Sequence, residues 1–107
     1  MAVALAGFLC AAEDGDIDSL ELMLTDDAVL YADGRTLAGP APIARFIVES
    51  AGRDGPCHVQ LATVDGRPGR LLRGYAGDVV EALSVDDLDG RIQAIHVVRD
   101  PDALAQL

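Results

Sequence analysis

Lysine, asparagine and tryptophan are absent from this chain of 107 residues, and only Phe8, Tyr31, Phe46 and Tyr75 are aromatic. Each shortage narrows what the protein can be. With so few rings the core must be aliphatic, built from Leu, Val, Ile and Ala, and a cavity lined by such residues is smooth and apolar. Without lysine, eight arginines face eighteen acidic residues, a formal charge of −10. Duplexes are bound largely through Lys and Arg displacing counterions at phosphates, so this balance argues against direct contact with nucleic acid; it argues equally against adsorption to an anionic membrane. The apolar residues 1–12 lack a basic flank and run into Glu13, Asp14 and Asp16, which fits neither a signal peptide nor a membrane span. A cytoplasmic location is expected. Two cysteines, Cys10 and Cys57, are too few for a disulfide framework, and reduced, buried thiols are expected, with one bridge between them as the alternative.

Metal-ligand spacing is also lacking. Cys10, Cys57, His58 and His96 form no CxxC, HxH or HxxxH pattern, so neither metal nor other cofactor is expected. The acidic groups Asp26-Asp27 and Asp86-Asp87 with Asp89 lack the alternating oxygens and distal Glu of a calcium loop, and read as solvated caps and loop tips.

What is present is a clear order of elements within one domain, residues 1–107. Leu5, Phe8, Leu9 and Ala12 recur at helical spacing and Gly15 stops them; Ile17, Leu20 and Leu24 make a second stripe, with Asp16 or Asp18 as its cap and Glu21 as a capping-box partner of Asp18. A strand follows at 28–33, with Val29, Tyr31 and Asp33 on one face and Ala28, Leu30 and Ala32 on the other. Gly39, Pro40 and Pro42 open a third helix, which turns Ile43, Phe46 and Ile47 inward and ends at Gly52. Residues 57–64, 69–73, 78–85 and 91–98 read as four strands joined by connections short enough to force an antiparallel meander. Asp100-Pro101 stops the last strand, because proline has no amide to give, and an apolar tail follows. Together these elements predict an α+β fold: a curved antiparallel sheet forming a cone packed on three helices from the N-terminal half, with a hollow for a small apolar ligand.

In that order the elements resemble the nuclear-transport-factor-like, or SnoaL-like, α+β roll, also described as cystatin-like. Residues 8–20, 26–30, Asp33-Gly34, 39–47, 64–69 and 89–104 further resemble the C-terminal domain of one group of extracytoplasmic-function sigma factors. That resemblance implies a regulatory module, which docks on sigma-factor core domains or RNA polymerase through a glycine loop and a terminal Asn-Pro-Asp-Lys-Leu motif. Here the corresponding segments are Asp33-Gly34-Arg35 and Asp100-Pro101-Asp102-Ala103-Leu104, so Gly34, Arg35, Asp100, Pro101, Asp102 and Leu104 are the implied interface residues. A loop lysine is missing, and Asp100 brings charge where the motif has a neutral amide.

A second class of function is enzymatic, a small isomerase, cyclase or epoxide hydrolase. Tyr31 and Asp33 share a strand face, and an Asp base beside a Tyr hydroxyl is the pairing with which ketosteroid isomerase moves protons. His96 is expected among Ile92, Ala94 and Val98 on one buried strand face, either bonded to a backbone carbonyl or contacting ligand. The candidate acid–base set is Asp33, Tyr31 and His96, and the candidate ligand-binding set is Tyr31, Asp33, Phe46 and His96. The competing reading makes Asp33 a turn residue and leaves Tyr31 at a rim. Glu81, mid-strand, is a further base if its face points inward. A homodimer paired through exposed strand residues is a third possibility.

Overall fold

The computed structural model describes residues 3–53, 58–64, 66–74 and 76–106. Helix α1 (Val3–Asp14) buries Leu5, Phe8 and Ala12 on one side, and Gly15 ends it with a positive φ of 69°, a conformation open to glycine at little cost. Helix α2 (Ile17–Met23) is capped by Asp16, whose carboxylate accepts the Ser19 amide at 3.2 Å and the Ser19 hydroxyl at 2.6 Å. Those bonds, the hydroxyl first, hold the Asp16 carboxyl below its ordinary range. Of the two candidate caps, then, Asp16 does the work. Leu24 is buried as expected, but as the first residue of a strand instead of the last turn of α2.

Strand β1 (Leu24–Ala32) is longer than its apolar alternation, so exposed Asp26 and Asp27 lie within a strand and not in a loop tip. It is followed by β2 (Arg35–Ala38), α3 (Pro40–Arg53), β3 (His58–Val64), β4 (Arg67–Arg73), β5 (Val79–Leu88), β6 (Arg91–Val98) and the one-turn α4 (Pro101–Leu104). Strand β2 is additional to the elements expected from the sequence. Its signal is the Asp33-Gly34 pair, with φ of 38° and 86°, which closes a two-residue hairpin between β1 and β2. Asp89-Gly90 does the same between β5 and β6, with φ of 52° and 84°. β5 continues through Asp86 and Asp87, which therefore belong to a strand and not to a turn. Cys10 is an exposed free thiol, against the expectation of burial, while Cys57 lies outside the described residues, as does Tyr75. No helix among the described residues is long and apolar enough to cross a membrane.

The six strands form one curved, unclosed sheet in the order β2-β1-β6-β5-β4-β3, with helices α1 to α3 coming from the N-terminal half, so the predicted α+β class holds. Every adjacent pair is antiparallel except β1 with β6, which the long passage through the rest of the chain brings together in parallel. Register shifts interrupt three of the ladders, and such irregularities are how a sheet acquires bend and extra twist. The core forms where α1, α2 and α3 meet one sheet face: Phe8, Leu20 and Ile43 pack with Leu30, Leu83, Val85, Ile92 and Ile95, all almost wholly buried. At about 25 cal/mol per Å² of apolar area removed from water, burial of this aliphatic set is the main favourable term.

Candidate functional site

Register and burial together sort the strand residues onto two faces. Leu30, Ala32, Leu83, Val85, Ile95 and Val97 meet the helices, so by alternation Tyr31, Ser84 and His96 point the other way. Between Asp86 and Asp87 the β5–β6 register slips, leaving Gln93 as an extra residue on β6. That bulge turns Ile92 into the core while Ala94 and His96 stay on the opposite face. His96 is accordingly not enclosed among aliphatic side chains on Ile92's face, as alternation alone suggested.

On the face away from α1 to α3, the Tyr31 and His96 rings stack across the β1–β6 pair, centroids 5.2 Å apart and planes 16° from parallel. The partner of His96 is a carboxylate and not a backbone carbonyl: its Nε2 lies 3.0 Å from Asp86 Oδ2, and Arg67 Nε donates to Asp86 Oδ1 at 2.8 Å. The His96 hydrogen bond first, and then Arg67, hold the Asp86 carboxyl below its ordinary range. At the hairpin end of this face lies an open cleft of about 330 Å³ lined by Tyr31, Asp33, Thr36, His96, Val98 and Ala103. Asp33 Oδ2 accepts the Arg99 amide at 2.9 Å, tying the hairpin turn to the exit of β6. Immediately beyond, Asp100 caps α4 by accepting the Asp102 amide, and Pro101 takes the first helical position, where a missing N–H costs nothing.

Three of the four expected ligand contacts, Tyr31, Asp33 and His96, thus share one cleft. Phe46 does not join them. It packs against the core on the helix side, with the Arg35 guanidinium 5.9 Å from its ring centroid. The implied interface residues are gathered at the same end of the molecule: Gly34 and Arg35 line the cleft with Ala103, on the helix that Asp100, Pro101, Asp102 and Leu104 build.

The helix side carries a group that pattern reading saw only in part. Glu81 is 3% exposed and inward, and both its oxygens are taken by guanidinium groups, Oε1 by Arg70 Nη2 at 3.0 Å and Oε2 by Arg99 Nε at 2.7 Å. Its two guanidinium partners make Glu81 part of an ion-pair cluster. Arg70 Nε is buried with no hydrogen-bond partner among the described residues. Alternation puts Glu81 and Arg99 on the helix side, two residues from Leu83 and Val97, but Arg70 joins them only through the β4–β5 register that pairs it with Leu83. A separate opening of about 450 Å³ lies between α1 and the β3–β4 hairpin, lined by Leu5, Ala6, Leu61, Thr63 and Pro68 among others. None of the candidate acid–base residues reaches it. Among the described residues no three His, Cys, Asp or Glu side chains cluster as a metal site would require.

No family model and no curated protein matches the sequence. Solved structures do. The extracytoplasmic function sigma factor SigJ of Mycobacterium tuberculosis matches with a TM-score of 0.75 at 24% identity, over 92% of this chain and 41% of that one. A protein named provisionally as a polyketide cyclase, from Sinorhizobium meliloti, matches with 0.68 at 23% identity, over 91% of this chain and 94% of that one. The chain has the nuclear-transport-factor-like fold. A de novo designed protein with a curved β-sheet shares this fold with a TM-score of 0.70 at 17% identity, over 96% of this chain and 89% of that one. The nuclear-transport-factor-like fold therefore does not by itself carry a function, which must be argued from the sites on it.

Proposed function

We propose that residues 1–107 form a non-catalytic regulatory module that acts in the cytoplasm by docking on the helical core domains of a sigma factor. One observation carries this reading. The Asp33-Gly34-Arg35 turn and the Asp100–Leu104 tail, distant in sequence, border the same cleft and are joined by the Asp33–Arg99 hydrogen bond. Those are the two segments that the sigma-factor resemblance implicates in docking, and the structural likeness to SigJ supports the same partner class. The acid–base alternative has less support. Tyr31, Asp33 and His96 line one cleft, but the Tyr31 and His96 rings are stacked on each other and His96 is bonded to Asp86, so both rings are already engaged within the fold.

The test is direct binding. The purified chain is titrated by calorimetry with the separately purified helical domains of extracytoplasmic-function sigma factors from the same organism. Binding to one of them, weakened by Asp33→Ala and by removal of residues 100–107, is the expected result; no binding to any of them overturns the proposal. A second reading, a small apolar ligand, is favoured by the opening between α1 and the β3–β4 hairpin. Blocking it with Ala6→Trp abolishes uptake of a fluorescent apolar probe if that reading holds.

A further inference from the structure

We propose that the cleft beside Tyr31 is an arginine-binding site, which takes a guanidinium from a basic segment of the docking partner. The inference deepens the docking reading and rests on it for the partner's identity. Tyr31 stands on β1 between two cross-strand neighbours, His96 on β6 and Thr36 on β2. His96 covers one side of the ring by stacking. Thr36 is too short to cover the other side, and Tyr31 remains 46% exposed over the cleft. A flat, weakly hydrated cation fits such a ring face, because the aromatic quadrupole attracts it and little hydration is lost.

The electrostatics of the cleft point the same way. Its two nearest cations are turned to the helix side: Arg35 lies over Phe46, and the Arg99 guanidinium is bonded to Glu81. On the cleft-side face Arg67 is already bonded to Asp86, and the cleft lining itself carries the Asp33 carboxylate. Asp33 is exposed, lines the cleft and accepts one amide, which leaves most of its acceptor capacity unused, while exposed Asp100 and Asp102 stand at the start of the tail helix whose Ala103 lines the same cleft. A guanidinium stacked on Tyr31 can present its edge N–H groups to the Asp33 carboxylate, a fork that a lysine ammonium cannot reproduce. The chain's net charge of −10 favours encounter with a basic partner. Because the cleft is open, a free small cation gains little there; a cation carried by a macromolecule, with further contacts on the hairpin and the tail, gains more.

The experiment uses the full chain, isotope-labelled and titrated with two alanine-based helical peptides, identical except that one carries arginine where the other carries lysine. The expected result is shift changes at Tyr31, Thr36 and Ala103, with the arginine peptide bound several-fold more tightly. In Tyr31→Leu that binding falls about fivefold, and in Thr36→Trp, which fills the cleft from an exposed position, it is lost while the thermal melt stays unchanged. Equal binding of the two peptides, or unaltered arginine binding in both variants, overturns the proposal. The two readings also fail separately. Sigma domains that bind the wild type and Tyr31→Leu equally overturn the arginine site and leave docking standing. Arginine-peptide binding at Tyr31 with no sigma-domain binding supports the site and overturns the assigned partner.

Discussion

The carboxylate of Asp33 accepts the backbone amide of Arg99 at 2.9 Å across 66 residues of sequence, fastening the first hairpin to the start of the C-terminal tail. Asp33 also holds φ at 38°, which Asp and Asn tolerate better than most residues. Asp33→Asn keeps both properties and is expected to be nearly neutral. Asp33→Ala loses both, at about 1 kcal/mol, and amide hydrogen exchange at Arg99 reports the broken bond. Equal exchange rates in the two variants would refute this account of the link.

Glu81 and Arg70 predict a strongly non-additive pair. Removing Glu81 alone leaves two guanidinium groups without their carboxylate, one of them largely buried, and Glu81→Leu is expected to cost about 3 kcal/mol or more. Arg70→Met with Glu81→Leu removes the buried charges together and should recover much of that loss. Denaturant melts of the two single variants and the double variant measure the coupling; additive losses would show that the cluster does not act as a unit.

Acid should weaken the His96–Asp86–Arg67 row. The Asp86 carboxyl is depressed in the folded state, so its contribution is present above the unfolded carboxylate value of about 3.9 and is lost as pH falls through the folded value. The pair is partly exposed, which limits that contribution to about 1 kcal/mol or less. Wild type should therefore be more stable than Asp86→Asn at pH 5, and the gap should close toward pH 2. A gap that widens in acid would contradict the sign.

Gly69 marks a close approach of backbones. A Cβ there would press on the Leu83 carbonyl oxygen and crowd the Ser84 Cα, neither of which can swing away as a long side chain could. Gly69→Ala is expected to destabilise by about 1–3 kcal/mol, whereas a Cβ at Gly74 meets only the Val80 side chain at 3.6 Å, and Gly74→Ala should cost much less. Thermal melts of the two variants make the comparison.

Local chemistry made much of this protein legible in its sequence. Helical spacing identified Leu5, Phe8, Ile43 and Ile47 as core, and alternation put Leu30 and Tyr31 on opposite strand faces. Asp-Gly pairs, a capping Asp16 and the Asp100-Pro101 stop are likewise properties of a few neighbouring residues. Their physics is short-range, so neighbours suffice to reveal them. The tertiary structure alone decided the rest: the parallel pairing of β1 with β6, the slip at Asp86 that separates Ile92 from His96, the exclusion of Phe46 from the Tyr31 cleft, and the Arg70–Glu81–Arg99 contacts. Each depends on register between strands distant in the chain, and register is settled by which whole set of side chains buries best, a quantity no local pattern contains.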